Sequence, residues 1–228
     1  MREIIFDTET TGLDPKTGDR MVEIGCVEMI GRVETGETFH AYYNPERDMP
    51  AGAEAVHGLS EKFLSQKPLF RDCVDELLDF IGDAPLVAHN AAFDFGFLNN
   101  ELALIDREPI AMDRMIDTVA IARRKHPGAK LSLDALCTRY GVDRSHRVKH
   151  GALLDAELLT QVYIELTGGR QIGLELAAEL EAVPEPAPSR ALANDRPFRT
   201  PRPHAPTAAE LSRHQAFVKQ IETPIWNK

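Results

Sequence analysis

The hydrophobic pattern changes period along the chain, and each change marks an element. The first strand signal covers Ile4-Ile5-Phe6-Asp7-Thr8-Glu9-Thr10-Thr11-Gly12, an apolar run that leads straight into two acids. Residues 21–30 alternate and read as a second strand. Residues 35–43 read as a third, with Gly31-Arg32 and Gly36 marking turns. Three strands with short links predict an antiparallel meander. The period then lengthens: Phe70, Val74, Leu77, Leu78 and Ile81 recur at helical spacing. Residues 84–88 form a short apolar run with the look of a buried strand. Residues 91–105 read as a helix carrying Phe93, Phe97, Leu98, Leu102 and Ile105 on its apolar positions. A strand at 115–117 and helices at 118–124, 131–140 and 152–166 complete the pattern. Three β elements followed by alternating α and β predict an α/β domain built on a mixed sheet flanked by helices.

The character shifts after Thr167-Gly168-Gly169. Residues 171–183 extend as helix. Seven of the chain's fifteen prolines then fall within residues 184–206, with arginines among them, which predicts an extended, flexible linker. Helical periodicity returns over 207–228, where Leu211, Phe217, Val218, Ile221, Ile225 and Trp226 are the apolar positions. The division expected is a domain at 1–169, a short peptide and helix at 170–183, a linker at 184–206 and a terminal segment at 207–228.

Composition narrows the class. The chain has 228 residues, 43% of them hydrophobic, enough for one core plus a tail. No run approaches the roughly 18 apolar residues of a membrane span. A strand signal that starts after Met1-Arg2-Glu3 leaves no room for a signal peptide. Cys26, Cys73 and Cys137 are odd in number and far apart, so they read as reduced thiols, and the expected compartment is cytoplasmic. The net charge of -10 works against an unaided grip on a polyanion, because phosphate neutralisation drives non-specific binding to DNA. A nucleic-acid substrate then needs a local basic region or a partner, and part of the acidity suits a metal site.

Side chains alternate faces along a strand, so Asp7 and Glu9 point the same way. Two like charges beside an apolar run are costly unless a cation sits between them. Hard divalent cations do that with oxygen ligands. A D-x-E pair alone equally fits a surface strand that carries acids. Further along, His89-Asn90-Ala91-Ala92-Phe93-Asp94 lies where a strand ends and a helix begins. Asp94 falls in the first turns of that helix, where the dipole favours a carboxylate and where α/β sheets bind ligands. Asn90 suits a helix cap or a loop-shaping role. His150 and Asp155 are five residues apart, about 140° of rotation on one helix. That divergence places Asp155 on the helix and His150 on the loop before it, free to swing over the same site. Four carboxylates and a histidine suit in-line phosphoryl displacement with two cations and a general base.

In their order and content, Phe6-Asp7-Thr8-Glu9-Thr10-Thr11-Gly12, His89–Asp94 and His150 with Asp155 resemble the three motifs of the DEDDh 3′–5′ exonucleases. Val56-His57-Gly58-Leu59, Ser132-Leu133-Asp134-Ala135-Leu136-Cys137 and the run His150–Glu157 are similar, more closely, to members that proofread for a replicative polymerase. The resemblance covers residues 2–169. It implies a ribonuclease-H-like fold and release of 5′-mononucleotides from a single-stranded or mispaired DNA 3′ end. It implies Asp7, Glu9, Asp94 and Asp155 as ligands of two divalent cations, Mg²⁺ or Mn²⁺, and His150 as general base. The same resemblance sets Asp7, Glu9, Thr10, His57, Asn90 and Asp155 near the terminal nucleotide. Asp117 matches a recurrent acid of structural or supporting type. Where some members carry an acid shortly before the His57 position, this chain has Gly52, with Glu54 nearby but offset. Beyond the domain, Gln171-Ile172-Gly173-Leu174-Glu175-Leu176 resembles a sliding-clamp-binding peptide, with Gln171, Leu174 and Leu176 as contacts. The terminal segment resembles a tail that docks on the polymerase (alpha) subunit, with Trp226 as anchor. Two other readings remain: a free-standing RNA or DNA 3′-trimming exonuclease, and an inactive polymerase–clamp scaffold.

Overall fold

The computed structural model describes residues 1–147, 149–169 and 205–221. They fall into two separate units, one within residues 1–176 and one within 177–228. In the first, β1 (Arg2–Thr10), β2 (Met21–Ile30) and β3 (Val33–Tyr42) form the predicted antiparallel meander. The helices α1 (Ala51–His57), α2 (Glu61–Leu64) and α3 (Phe70–Ile81) follow. Next come β4 (Leu86–Ala88), α4 (Ala92–Ala103), β5 (Met115–Asp117) and α5 (Thr118–Lys125). The unit closes with α6 (Leu133–Tyr140) and α7 (Ala152–Leu166). The sheet order is β3-β2-β1-β4-β5, with β4 and β5 parallel to β1. This is the mixed sheet the sequence predicts, with β1 at its centre. The pattern did not reveal α1 or α2: seven and four residues are too few to show a period, and Pro50 sits where α1 begins.

The sheet is covered on both faces, and the alternation of β1 decides what faces what. Ile4 and Phe6 pack with Phe70, Val74 and Leu77 of α3 and with Phe95 and Leu98 of α4. Ile5 packs on the other face with Leu136 of α6 and Leu158, Leu159 and Val162 of α7. Full burial of one such side chain contributes about 1.5–3 kcal/mol, so both layers are strongly held. The same alternation turns Thr8 toward the α4 side and Asp7 and Glu9 toward α7.

Two glycines let chains approach where side chains would not. Gly25 of β2 lies opposite Asp7 in the ladder, and a Cβ there would overlap the backbone of Ala152 and Leu153. Its bare backbone seats the first turn of α7 directly on the sheet, as glycine in a strand often does. Gly58 ends α1 with φ 79°, a left-handed cap that glycine adopts without strain. In the second unit, α8 (Ala208–Val218) begins with a capping box in which Thr207 Oγ1 accepts from the Glu210 N–H and Glu210 accepts from the Thr207 N–H. Leu211 and Phe217 are exposed on it. Gln171, Leu174, Leu176 and Trp226 lie outside the described residues.

Candidate active site

Four acids converge at the C-terminal end of the central strand. β1 supplies Asp7 and Glu9, the first turn of α4 supplies Asp94, and the first turn of α7 supplies Asp155. Two helix N-termini therefore aim their positive ends at the cluster. Glu9, Asp94 and Asp155 are only 8%, 3% and 3% exposed. His150 sits on the loop before α7, and one ligand atom each from Glu9, His150 and Asp155 lie within 4.8 Å of one another.

The electrostatics follow from burial. Glu9 is pushed up to about 8 by burial, then by Asp155, Glu23 and Asp94. Burial also pushes Asp94 up to about 7, against the downward pull of its hydrogen bonds from Thr8. Asp7 is raised well above the usual carboxylate range by burial and by Asp94, Glu9 and Asp155. Carboxylates held this way want a positive charge among them. All-oxygen donors with one imidazole beside them, half sunk in the protein, suit a hard divalent cation. The residues present therefore fit the group that the motifs imply.

Supporting residues fix the acids. Thr8 donates to Asp94 Oδ1 twice, from its N–H at 3.1 Å and from Oγ1 at 2.7 Å. Asp117 Oδ1 accepts from the N–H groups of Asn90, Ala91 and Val119, at 3.1, 3.4 and 3.0 Å. It thus caps α5 and ties down the turn that launches α4, a structural task. Asn90 is not the cap of α4: that position is Ala91, without a side-chain hydrogen bond. Asn90 instead takes φ 63°, a left-handed geometry that asparagine tolerates better than most residues. It is exposed. Glu23, opposite Glu9 in the ladder, is paired with His40 Nε2 at 2.7 Å.

A cleft of about 430 Å³ opens beside the acids. Its walls are the end of β1 and the turn after it (Thr8 to Leu13), the α1 residues Gly52, Ala53 and Val56, and Phe93. Thr10 is part of that wall and donates from Oγ1 to the Gly12 carbonyl at 2.6 Å. His57 ends α1. It is buried, its Nδ1 accepts the Leu59 N–H at 3.0 Å, and its ring also interacts with the Thr10 backbone. Burial lowers its pKa.

The loop ahead of α7 is less free than its polar sequence suggests. Arg147 spans Asp155 and Asp134, and the His150 N–H donates to the Val56 carbonyl at 3.3 Å. The sequence gives Asp134 and Thr8 only as members of motifs, and assigns no role of their own to Arg147, Asp134, Thr8 or Gly25. Of these, only the lone glycine inside a strand carried a usable signal.

The RNase_T exonuclease family model matches residues 4–163. The chain is 48% identical over 224 residues to DNA polymerase III subunit epsilon of Rickettsia conorii, covering 97% of this chain and 96% of that one. It is 44% identical over 187 residues to DNA polymerase III subunit epsilon of Escherichia coli K12, covering 79% and 76%. A solved structure of Exonuclease X in complex with 5′ overhanging duplex DNA is similar at a TM-score of 0.58 and 27% identity, covering 72% of this chain and 90% of that one. The nuclease domain of 3′hExo, a DEDDh family member bound to rAMP, shares the fold at a TM-score of 0.64 and 17% identity, over 73% and 91% of the two chains. The family match and these relatives make the chain a 3′–5′ exonuclease. Within the RNase_T exonuclease family, the chain belongs with the DNA polymerase III epsilon subunits, the proofreading exonucleases of replication.

Proposed function

We propose that Asp7, Glu9, Asp94 and Asp155 hold two divalent cations, Mg²⁺ or Mn²⁺, and that His150 is the general base. The observation that carries this is the approach of Glu9, Asp155 and His150 to within 4.8 Å at the end of β1. Two ions so held supply Lewis-acid stabilisation of the attacking and leaving oxygens of an in-line displacement. The chain's own residues do the rest. His150 Nδ1 lies 3.2 Å from Asp155 Oδ2. As a neutral imidazole, His150 takes the proton from the attacking water on a ring nitrogen that keeps its lone pair. The water oxygen bonds to the terminal phosphorus and the bond to the preceding 3′ oxygen breaks. A 5′-mononucleotide leaves, and the shortened strand keeps a 3′ hydroxyl.

The cleft beside the acids receives the terminal nucleotide. Thr10 lines it, the α1 residues and Phe93 give it an apolar wall for the base, and His57 at the end of α1 and Asn90 on the turn before α4 are the further contacts proposed. A frayed end enters such a cleft more readily than a paired one, which supports proofreading over indiscriminate digestion. The polymerase is a partner, the DNA 3′ end is the substrate, and the work is cytoplasmic. Among the described residues no helix is long and apolar enough to cross a membrane.

The finer division of labour is part of the same proposal. Residues 1–169 carry the chemistry. Gln171, Leu174 and Leu176 grip the sliding clamp, and residues 184–206 tether. The segment 207–228, with Trp226, docks on the polymerase alpha subunit and raises the effective concentration of the exonuclease at the primer end. That supplies the hold on DNA that a chain of net charge -10 lacks.

The test is digestion of a 3′-mispaired primer and its matched twin with Mg²⁺, by wild type and by Asp7→Ala/Glu9→Ala. Mononucleotide release that is faster on the mispair and absent in the variant supports the reading. No release by wild type turns it toward the scaffold. Equal or faster cleavage of an RNA 3′ end turns it toward the trimming exonuclease.

A further inference from the structure

Arg147 has no part in the chemistry above, yet it is engaged on all three guanidinium nitrogens. Its side chain is only 9% exposed. Nε lies 2.5 Å from Asp155 Oδ1 and NH2 lies 2.6 Å from Asp155 Oδ2, a two-pronged grip on one carboxylate. NH1 reaches back 2.7 Å to Asp134 Oδ1, on the first turn of α6. NH2 also lies 2.8 Å from His150 Nδ1. Asp134 is in turn paired with Arg144 NH1 at 2.8 Å, with both side chains about half exposed. One planar group therefore spans α6, the α7 first turn and the loop that carries His150.

We propose that Arg147 is a positioning residue whose fork sets Asp155 and His150 relative to each other, with Asp134 on α6 as the anchor through which it acts. The inference rests on the reading of Asp155 as a cation ligand and His150 as the base. Geometry is the reason for arginine. A rigid fork can hold both carboxylate oxygens and still direct a third nitrogen to Asp134, whereas a lysine ammonium brings charge alone. The grip matters because Asp155 needs one orientation to meet a cation and His150 Nδ1 has two competing partners, Arg147 and Asp155. The guanidinium can only donate, so its NH2 holds His150 Nδ1 as an acceptor while the same fork holds both oxygens of Asp155.

The alternative is that Arg147 merely neutralises charge, since it also counteracts the upward shifts of Asp7 and Glu9. Arg147→Lys separates the two roles, because it keeps the charge and loses the fork. The variants Arg147→Lys, Arg147→Ala, Asp134→Asn and Asp134→Asn/Arg147→Ala are compared with wild type. Three quantities are read: kcat and KM on a single-stranded oligonucleotide, Mn²⁺ affinity by calorimetry, and melting without cation. Residues that orient metal ligands typically cost about 10–100-fold in affinity or activity when changed. Arg147→Lys is expected to lose kcat and Mn²⁺ affinity in that range, with KM held within about twofold. Asp134→Asn loses less, and adding it to Arg147→Ala costs nothing further, because the anchor has no second route to the site.

Arg147→Lys that matches wild type in both kcat and Mn²⁺ affinity overturns the fork and leaves only charge. Losses that multiply in the double variant overturn the anchor. If Arg147→Ala melts early, Arg147→Lys and Asp134→Asn still decide between these results. Wild type that neither binds Mn²⁺ nor turns over overturns the reading of the site and the fork with it. Wild type that does both while Arg147→Lys equals it overturns the fork alone.

Discussion

The acids on β1 and the residues ahead of α7 serve one centre but are held by opposite means. Asp7 and Glu9 ride on the central strand, bonded by backbone to β2 along their whole length and flanked by Ile4, Ile5 and Phe6. Their direction follows from the two-residue period of a strand and needs no side-chain help. His150 belongs to no strand or helix and is exposed. It is held by side chains, through Arg147 to Asp134 and Asp155, and by one backbone bond to Val56. Asp155 stands between the two arrangements, on a helix seated by Gly25 but oriented by Arg147. The proposed cation centre needs the fixed geometry that the strand supplies.

The comparison breaks most severely at Gly25, where the rigid wall supports the other. Gly25→Ala forces the α7 first turn off β2. Overpacking of this kind costs about 1–3 kcal/mol, and about 2–4 °C of melting per kcal/mol for a domain this size. Displacing Asp155 and His150 by about 1 Å is expected to lower kcat by roughly 100-fold. Calorimetric melting and primer digestion check both effects. Near-wild-type activity would show that α7 need not touch the sheet.

The β1 wall can be examined by pH without cations. Asp7, Glu9 and Asp94 all bind protons more tightly in the folded protein than ordinary carboxyls do, with Glu9 at about 8 and Asp94 at about 7. The folded state therefore holds more protons than the unfolded state between the ordinary carboxyl range and about pH 8. Stability from this cluster is greatest at the acid end of that window and is lost as pH rises through it. The melting temperature of cation-free protein is expected to fall by several degrees from pH 5.5 to 8.5. Mn²⁺ should restore it, and by more at the higher pH, because deprotonated ligands bind better. A cation-free melting point that rises over this window contradicts the picture.

The smallest effect sharpens the comparison at Asp94. Thr8→Val removes the Oγ1 donor at 2.7 Å and leaves the Thr8 N–H in place. The loss expected is about 0.5–1.5 kcal/mol of stability, the usual net range for a single hydrogen bond, with kcat reduced only several-fold. Paired melting and single-turnover rates test it.

How much of this was legible in the sequence follows the same division. The strand period gave the meander and the shared face of Asp7 and Glu9, because period 2 is local information; the central position of β1 came only with the strand order. The helix period gave α3 and α7, with Asp155 on α7 and His150 before it. Several edges moved: β3 begins at Val33 and not at 35, and α4 spans Ala92–Ala103 within the predicted 91–105. Asn90 was half legible, a loop-shaping residue but not a cap. The Arg147 fork was illegible. It joins residues 8 and 13 positions apart through a loop without a period, and nothing in Asp143-Arg144-Ser145-His146-Arg147 marks one arginine above the other. Thr8 was hidden for a related reason, since its partner Asp94 is 86 residues away.

The central claim is that β1, α4 and α7 deliver their acids to one centre that holds two cations. The most direct measurement is a count of Mn²⁺ bound per chain, by calorimetry together with the spin coupling of paired ions in electron paramagnetic resonance. Wild type is expected to bind two coupled ions, and Glu9→Gln and Asp155→Asn are each expected to lose the coupled pair. Retention of the coupled pair in both variants, or a single uncoupled ion in wild type, would contradict the account.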